Sequence, residues 1–428
     1  MTYQVARTVG AAVTTADEPN PDAGTSVLRD RWDAEAYVAS VCFKHGPPRL
    51  TGVELEWLVR PRSPGKLTAA TLSAALGRYS PTSLDPTSPA DPLPGGSQVT
   101  VEPGGQIELA SPPFPDLAGL LSTTCADADA LHSAVSAAGL DIEGRAADAD
   151  RPPLRLLELP RYRAMEQSFD RIGPHGRSAM CSTAAVQVSV DAGEGAAVAG
   201  RWAATHALGP VLMGAFANSP QLHGRRTGWK SARWAAWLRA DPARTAPPAE
   251  PDPADPAASW ARRVMDAPVL CVRENGNWIV PEGLSFAAWV REATPRPPTV
   301  ADLDYHISTL FPPVRPRGHL EVRYVDMQPG RRWALPVAVL AALLSDPSVI
   351  DVVRDVCAPA RTRWVSAARH GLADRVLARA AAAVFELACE RLPALAAPEW
   401  LVDELVTMNE RLVQRGLCPA DEPEGAQL

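Results

Sequence analysis

The stretch TGVELEWLVR, Thr51 to Arg60, decides how the rest of the chain is read. Side chains along a β-strand point alternately to its two faces, so residues two apart are neighbours on one face, about 6.5–7 Å from each other. Val53, Leu55 and Trp57 therefore share one face, and Glu54 and Glu56 share the other. Three further runs repeat the pattern. In GGQIELAS, Ile107 and Leu109 oppose Gln106 and Glu108; in AAVQVSVD, Val186, Val188 and Val190 oppose Gln187, Ser189 and Asp191. In HLEVRYVD, Leu320, Val322 and Tyr324 oppose Glu321 and Arg323. Strands are also expected at Gln98–Glu102 and Val269–Arg273, the latter turning through Glu274-Asn275-Gly276-Asn277 into Trp278–Val280.

A sheet with one solvated face usually mixes Lys, Thr, Ser and Glu there. These four runs instead carry four glutamates, one aspartate, two glutamines, one serine and one arginine on the polar face, and no lysine. Carboxylates that converge repel one another unless cations neutralise them. Such oxygen-rich surfaces suit Mg²⁺, with Mn²⁺ as the alternative. Magnesium commonly arrives with phosphates, and arginine binds phosphate and carboxylate in a bidentate manner. HGRRTGWKSARW offers Arg225, Arg226, Lys230 and Arg233, and STLFPPVRPRGHLEVR offers Arg315, Arg317 and Arg323, although Arg225, Lys230 and Arg317 individually fit a scattered solvated basic surface. No Walker loop, dinucleotide-binding GxGxxG or kinase signature is present, so a nucleotide would be held through metals on an open sheet.

Helical periodicity marks Pro160–Ile172, Ser259–Met265 and Ala196–Ala217, the last interrupted around Pro210. It recurs through Val337–Leu344, Val349–Val356, Leu372–Leu392 and Leu401–Leu412, a helical layer over 331–416. Strands scattered among helices without βαβ alternation imply an α+β fold with a largely antiparallel sheet. The motifs straddle every proline-rich stretch, so residues 1–428 are expected to form a single catalytic domain, with 1–25 disordered and 241–259 a surface loop.

The net charge of −7 argues against a nucleic-acid groove. No signal peptide or membrane span is evident, and seven widely spaced cysteines without a CxxC pair fit reduced thiols, so a cytoplasmic location is expected. No exposed heptad seam is visible, and a monomer is expected.

GVELEWLV, GGQIELAS, RYRAM, MCSTAAVQVSVD, ANSP, GWKSARWAAW and HISTLFPPVRPRGHLEVRYVD follow one another in this order. Together they resemble the glutamate–cysteine ligase family, in its plant-type and bacterial branch, and most of all the bacterial ligases that feed γ-glutamylcysteine into ergothioneine synthesis. The resemblance implies a glutamine-synthetase-like fold, an antiparallel sheet curved into a funnel with helices outside. It implies L-glutamate, L-cysteine and ATP as substrates, and a γ-glutamyl phosphate intermediate. By motif, Glu54, Glu56, Glu108 and Glu321 resemble the family's metal carboxylates. Arg323 resembles the arginine that meets the transferring phosphoryl group, Arg233 the one that pairs with the glutamate α-carboxylate, although a helix-surface arginine among Trp229, Trp234 and Trp237 fits the sequence equally, and Gln187 a glutamine near the glutamate and metal site; Arg315 is expected to bind phosphate beside Arg323. Tyr162 and Met165, one helical turn apart, are candidates to line the amino-acid pocket, although such pairs are commonly core. His306 fits a capping or packing role as well as a catalytic one, and His206 reads as structural. Glu54→Gln or Glu321→Gln is expected to remove turnover and leave folding intact. A ligase with another amine acceptor would carry the same metal and phosphate motifs; a catalytically silent binding protein would have lost the carboxylates, and all four are present.

Overall fold

The alternating run at Thr51 becomes the central strand of a seven-stranded sheet. The strands are β1 (Thr51–Pro61), β2 (Gln98–Val101), β3 (Ile107–Ala110), β4 (Leu140–Glu143), β5 (Ala185–Val190), β6 (Val314–Pro316) and β7 (Leu320–Asp326). They lie in the order β6-β7-β5-β1-β3-β2, with β4 paired to the end of β1, and every pairing is antiparallel. The structure, a computed structural model, describes residues 26–250, 253–274 and 277–423. The expected disorder of 1–25 and the turn residues Asn275 and Gly276 lie outside the described residues. The two strands flanking that turn do pair, as Val272–Glu274 with Asn277–Ile279.

Register places the polar side chains beside one another. Glu54 lies opposite Gln187, Glu56 opposite Glu108, Glu321 opposite Ser189 and Arg315 opposite Glu321. On the other face, Val53, Leu55, Trp57, Val186, Val188, Val322 and Tyr324 are buried. Helices Leu117–Ala137, Ala197–Ala215 and Ala334–Leu344 pack on this side of the sheet. The resulting hydrophobic core runs from Leu28 to Val413. The helical layer forms as expected, through Ala334–Leu344, Pro347–Cys357, Arg375–Arg391 and Glu399–Arg411.

Two expectations need correction. The helix Ala197–Ala215 is not interrupted at Pro210. A proline inside a helix costs about 3 kcal/mol through a lost hydrogen bond and a clash, but from Arg201 to Ala215 every residue is buried. The Tyr324 hydroxyl also donates to the Thr205 carbonyl, at 3.1 Å, just before the proline. Packing outweighs the local penalty. The segment 241–259 is not simply a surface loop. Asp241 and Asp255 cap two helices whose first residues are Pro242 and Pro256, and Arg244 and Thr245 are buried between them. Proline at the first helical position loses only an N–H that has no partner there.

His206 and His306 are structural. His206 Nδ1 meets the Trp202 carbonyl at 3.0 Å, and His306 Nε2 meets that of Val264 at 2.9 Å. Burial lowers their pKa values, His206 to about 4 and His306, helped by nearby Arg244, to about 3. Both rings are neutral in the folded protein, while the unfolded chain takes up protons near pH 6.5. Their contribution to stability is therefore full above about pH 6.5 and is lost as pH falls toward the folded values. In a His306→Gln variant, the drop in unfolding free energy between about pH 6.5 and pH 5 is expected to shrink by about 2 kcal/mol. Urea titrations at the two pH values check this; an unchanged drop contradicts it.

Candidate active site

The polar face of the sheet holds a continuous chain of charge-assisted hydrogen bonds across β6, β7, β5 and β1. Arg315 on β6 donates through Nε and Nη2 to both oxygens of Glu321, the latter at 2.8 Å. Glu321 Oε1 also accepts from Arg323 Nη1 at 2.9 Å. Arg323 Nη1 reaches Gln187 Oε1 on β5, and Gln187 Nε2 donates to Glu56 Oε1 on β1 at 2.6 Å. The Gln187 amide is thereby fixed in orientation, accepting from an arginine and donating to a carboxylate. Glu108 on β3 accepts from the Thr100 hydroxyl of β2 at 2.6 Å.

The carboxylates divide into two electrostatic classes. Glu321 is fully buried. Burial would raise its pKa, but Arg315, Arg323 and Arg317 hold it well below the usual carboxylate range. Glu54, Glu56 and Glu108 go the other way. Burial pushes Glu56 up to about 7, with Glu102 and Glu54 adding repulsion. Burial and then the charges of Glu54, Glu102 and Glu56 raise Glu108 well above its ordinary value. Burial and Glu321 raise Glu54. Carboxyl groups pressed together without neutralising cations are what a divalent ion would relieve, and an all-oxygen donor set fits Mg²⁺ or Mn²⁺. Among the described residues, however, no three acidic, histidine or cysteine side chains already converge on one ion position. Glu321 is turned to two arginines, Glu56 to Gln187 and Glu108 to Thr100.

Glu102 is a fifth member of this cluster that the four-run comparison missed. Its carboxyl is raised by burial, and its charge acts on Glu56, Glu108 and Tyr162. The signal was present, since Gln98, Thr100 and Glu102 alternate with Val99 and Val101. Glu102 enters a tight turn whose Gly104 lies against Cys181; a Cβ at Gly104 would sit 2.0 Å from the Cys181 carbonyl oxygen. Only glycine lets the two backbones approach this closely.

Arg233 reaches the same face from the start of helix Ala232–Ala240, capped by Ser231. Its Nη2 donates to the Arg323 carbonyl at 2.8 Å, its guanidinium lies 5.4 Å from the Trp234 ring, and Nη1 stands 3.7 Å from Asp326 Oδ1. It is 3% exposed, yet its Nε and Nη1 make no hydrogen bond. Buried arginine donors left open in this way suit an incoming carboxylate. Asp326, also missed in the sequence, ties the ANSP, GWKSARW and HLEVRYVD motifs together. It accepts from the Asn218 N–H at 2.9 Å, the Ser219 hydroxyl at 2.7 Å and the Ser231 hydroxyl at 2.8 Å. Simple alternation puts Asp326 on the apolar face, but an irregularity in β7 between Val322 and Val325 shifts its phase.

The remaining expected residues separate. Tyr162 is half-buried, with its hydroxyl near Glu102 and Glu108. Met165 points into a small hydrophobic cluster with Met180, Cys181 and Cys271, on which Tyr162 rests. Of the other basic residues near the motifs, Arg225 and Arg226 are exposed on a two-stranded hairpin. Lys230 is paired with Asp421. Arg317 is exposed, though its charge reaches Glu54 and Glu321. All seven cysteines are free thiols, and no single helix among the described residues is long and apolar enough to cross a membrane.

Comparison with known proteins identifies the family. Residues 50–424 match the family described as Glutamate-cysteine ligase family 2. The chain is 38% identical over 425 residues to Glutamate–cysteine ligase EgtA of Mycobacterium tuberculosis, covering 96% of this chain and 93% of that one. It is 41% identical over 336 residues to the protein of the same name in Mycolicibacterium smegmatis, covering 77% and 78%. A chloroplastic glutamate–cysteine ligase of Brassica juncea is 29% identical over 66% of this chain and 55% of its own length. The fold resembles the crystal structure of a glutamate–cysteine ligase from Francisella tularensis in complex with AMP, with a TM-score of 0.51, 13% identity, and coverage of 88% and 84%. The match over almost the whole sequence, with the motif residues gathered on one face of the sheet, places this chain in glutamate–cysteine ligase family 2.

Proposed function

We propose that the protein joins the γ-carboxylate of L-glutamate to the amine of L-cysteine at the expense of ATP, and that its γ-glutamylcysteine feeds ergothioneine synthesis, as the sequence resemblance implies. The observation that carries the reaction type is Arg323, held by Glu321 and Gln187 in the middle of the carboxylate-lined face. Transfer of a phosphoryl group to a carboxylate brings anions together, and its main requirements are charge neutralisation and in-line positioning. Arg323 and Arg315 supply fixed positive charge, and Glu321 keeps both guanidiniums in place without needing to move. Arg233 offers two open donors to the α-carboxylate of glutamate. Bound Mg²⁺, with Mn²⁺ as the alternative, would be held by Glu54, Glu56, Glu108 and Glu321, and would supply neutralisation of phosphate charge. Attack of the cysteine amine on the acyl phosphate then expels inorganic phosphate. No protein nucleophile is required, and none of the seven cysteines is assigned one.

The assay is ADP release with glutamate and a panel of amines. Cysteine is expected to be preferred; equal rates with unrelated amines would overturn the acceptor assignment. An Arg233→Ala variant is expected to raise KM for glutamate by about tenfold to a hundredfold, the worth of a charged hydrogen-bonded pair, and KM for cysteine much less. Equal effects on both would contradict the role given to Arg233.

A further inference from the structure

We infer that the strap Cys418–Glu422, which follows the last helices, holds Arg233 in position and thereby sets the affinity for glutamate. The inference rests on the ligase reading above and on the place given there to Arg233. The chain leaves the helix Glu399–Arg411 and turns at Gly416, where the Leu417 N–H bonds to the Leu412 carbonyl at 2.9 Å. Cys418 is buried, and Pro419–Asp421 form one 3₁₀ turn closed by Asp421, whose Oδ2 accepts from the Cys418 N–H at 3.1 Å. The turn presents three consecutive residues to the rest of the protein. The Ala420 N–H donates to the Ala217 carbonyl at 2.9 Å, Asp421 pairs with Lys230, and Glu422 Oε2 accepts from Arg332 Nη1 at 2.8 Å.

These anchors adjoin the three segments that meet at Asp326. Ala217 precedes Asn218 and Ser219, which donate to the Asp326 carboxylate through an N–H and a hydroxyl. Lys230 precedes Ser231, whose hydroxyl donates to the same carboxylate. Arg332 follows β7, the strand that carries Asp326. One short turn therefore grips every arm of the junction. The arms also hold one another: the Ser219 N–H donates to the Lys230 carbonyl at 3.0 Å, and the Ala232 N–H to that of Ser219 at 2.8 Å. Arg233 comes next in the chain, and its N–H donates to the Ser219 hydroxyl at 3.2 Å. A shift of the junction therefore carries Arg233 with it, away from the Arg323 carbonyl that orients its guanidinium.

Gly371 lets the strap close. It has a φ of +56°, and a Cβ there would stand 3.1 Å from Cys418 Sγ and 3.3 Å from Lys230 Cγ. The pairs Lys230–Asp421 and Arg332–Glu422 are partly exposed. Ion pairs of that kind add little to global stability. Their effect is local: a carboxylate held by a guanidinium is sensitive to geometry, and a small displacement of a positioning group is costly.

The test is steady-state kinetics with each substrate varied in turn. Asp421→Asn keeps an oxygen for the Cys418 N–H and removes the charge that holds Lys230. It is expected to raise KM for glutamate about threefold to fivefold, with kcat and the KM values for cysteine and ATP little changed. Glu422→Gln should act in the same direction, and ending the chain after Leu417 should raise KM for glutamate at least about tenfold. In an Arg233→Ala background, Asp421→Asn should add nothing, because its effect passes through Arg233. An unchanged KM for glutamate in both Asp421→Asn and Glu422→Gln, an equal rise for cysteine, or full additivity with Arg233→Ala would overturn the inference. The two point variants decide the matter even if the shortened chain fails to fold. A wild type that forms no γ-glutamylcysteine would instead overturn the ligase reading, and an unchanged KM for glutamate in Arg233→Ala would overturn the role given to that arginine.

Discussion

A Glu108→Gln enzyme is expected to be more stable than wild type in metal-free buffer and to turn over at least about a hundredfold more slowly. Most substitutions that inactivate an enzyme either leave stability alone or reduce it. Here the two should move in opposite directions. Glu108 is buried, directly opposite Glu56, and burial with Glu54, Glu102 and Glu56 makes its negative charge costly. Glutamine keeps the shape and the oxygen that accepts from Thr100, and removes the repulsion. The gain is of the order of 1 kcal/mol. The same negative charge is what a metal-phosphate complex would need. Melting temperature in EDTA and kcat with saturating magnesium measure both halves. A destabilised variant with wild-type kcat would contradict the assignment of this cluster to metal.

Glu321→Gln is expected to lose turnover to a similar degree, but together with about 3 kcal/mol of stability. The sequence alone led to the expectation that folding would be unaffected. The structure changes that, because Glu321 is the shared partner of Arg315 and Arg323 and is fully buried. A neutral amide leaves two guanidiniums without their counter-charge, and breaking a buried pair costs far more than the pair contributes. Urea unfolding beside steady-state kinetics separates the effects. Unchanged stability would mean that the arginines do not depend on Glu321; unchanged turnover would remove it from the site.

Together the two variants show what could be read from sequence. Period-two alternation placed Glu54, Glu56, Glu108, Gln187, Glu321 and Arg323 on one face, and the sheet puts them there. Alternation is a local rule and fails where the backbone departs from regularity. The β7 irregularity brought Asp326 into position to hold Arg233 and its neighbours, which no periodic count could reveal. Partners distant in sequence were equally hidden. Lys230 could be read from sequence either as a phosphate ligand or as part of a solvated basic surface, and its pairing with Asp421, 191 residues away, favours the second. Proline misled twice for one reason. Its local cost is real, but a fully buried helix outweighs it at Pro210, and a preceding aspartate cap turns it into a helix start at Pro242 and Pro256. The Asp-Pro pairs were visible and could have been read that way.

The central claim is that glutamate is activated as an acyl phosphate on this face. It is tested most directly with glutamate carrying ¹⁸O in its γ-carboxylate, incubated with ATP, magnesium and cysteine. If the γ-carboxylate attacks the terminal phosphorus of ATP and the cysteine amine then displaces phosphate, one labelled oxygen leaves with each phosphate released. The account predicts labelled inorganic phosphate in equal amount to γ-glutamylcysteine and ADP. Phosphate free of label alongside the same product would contradict it.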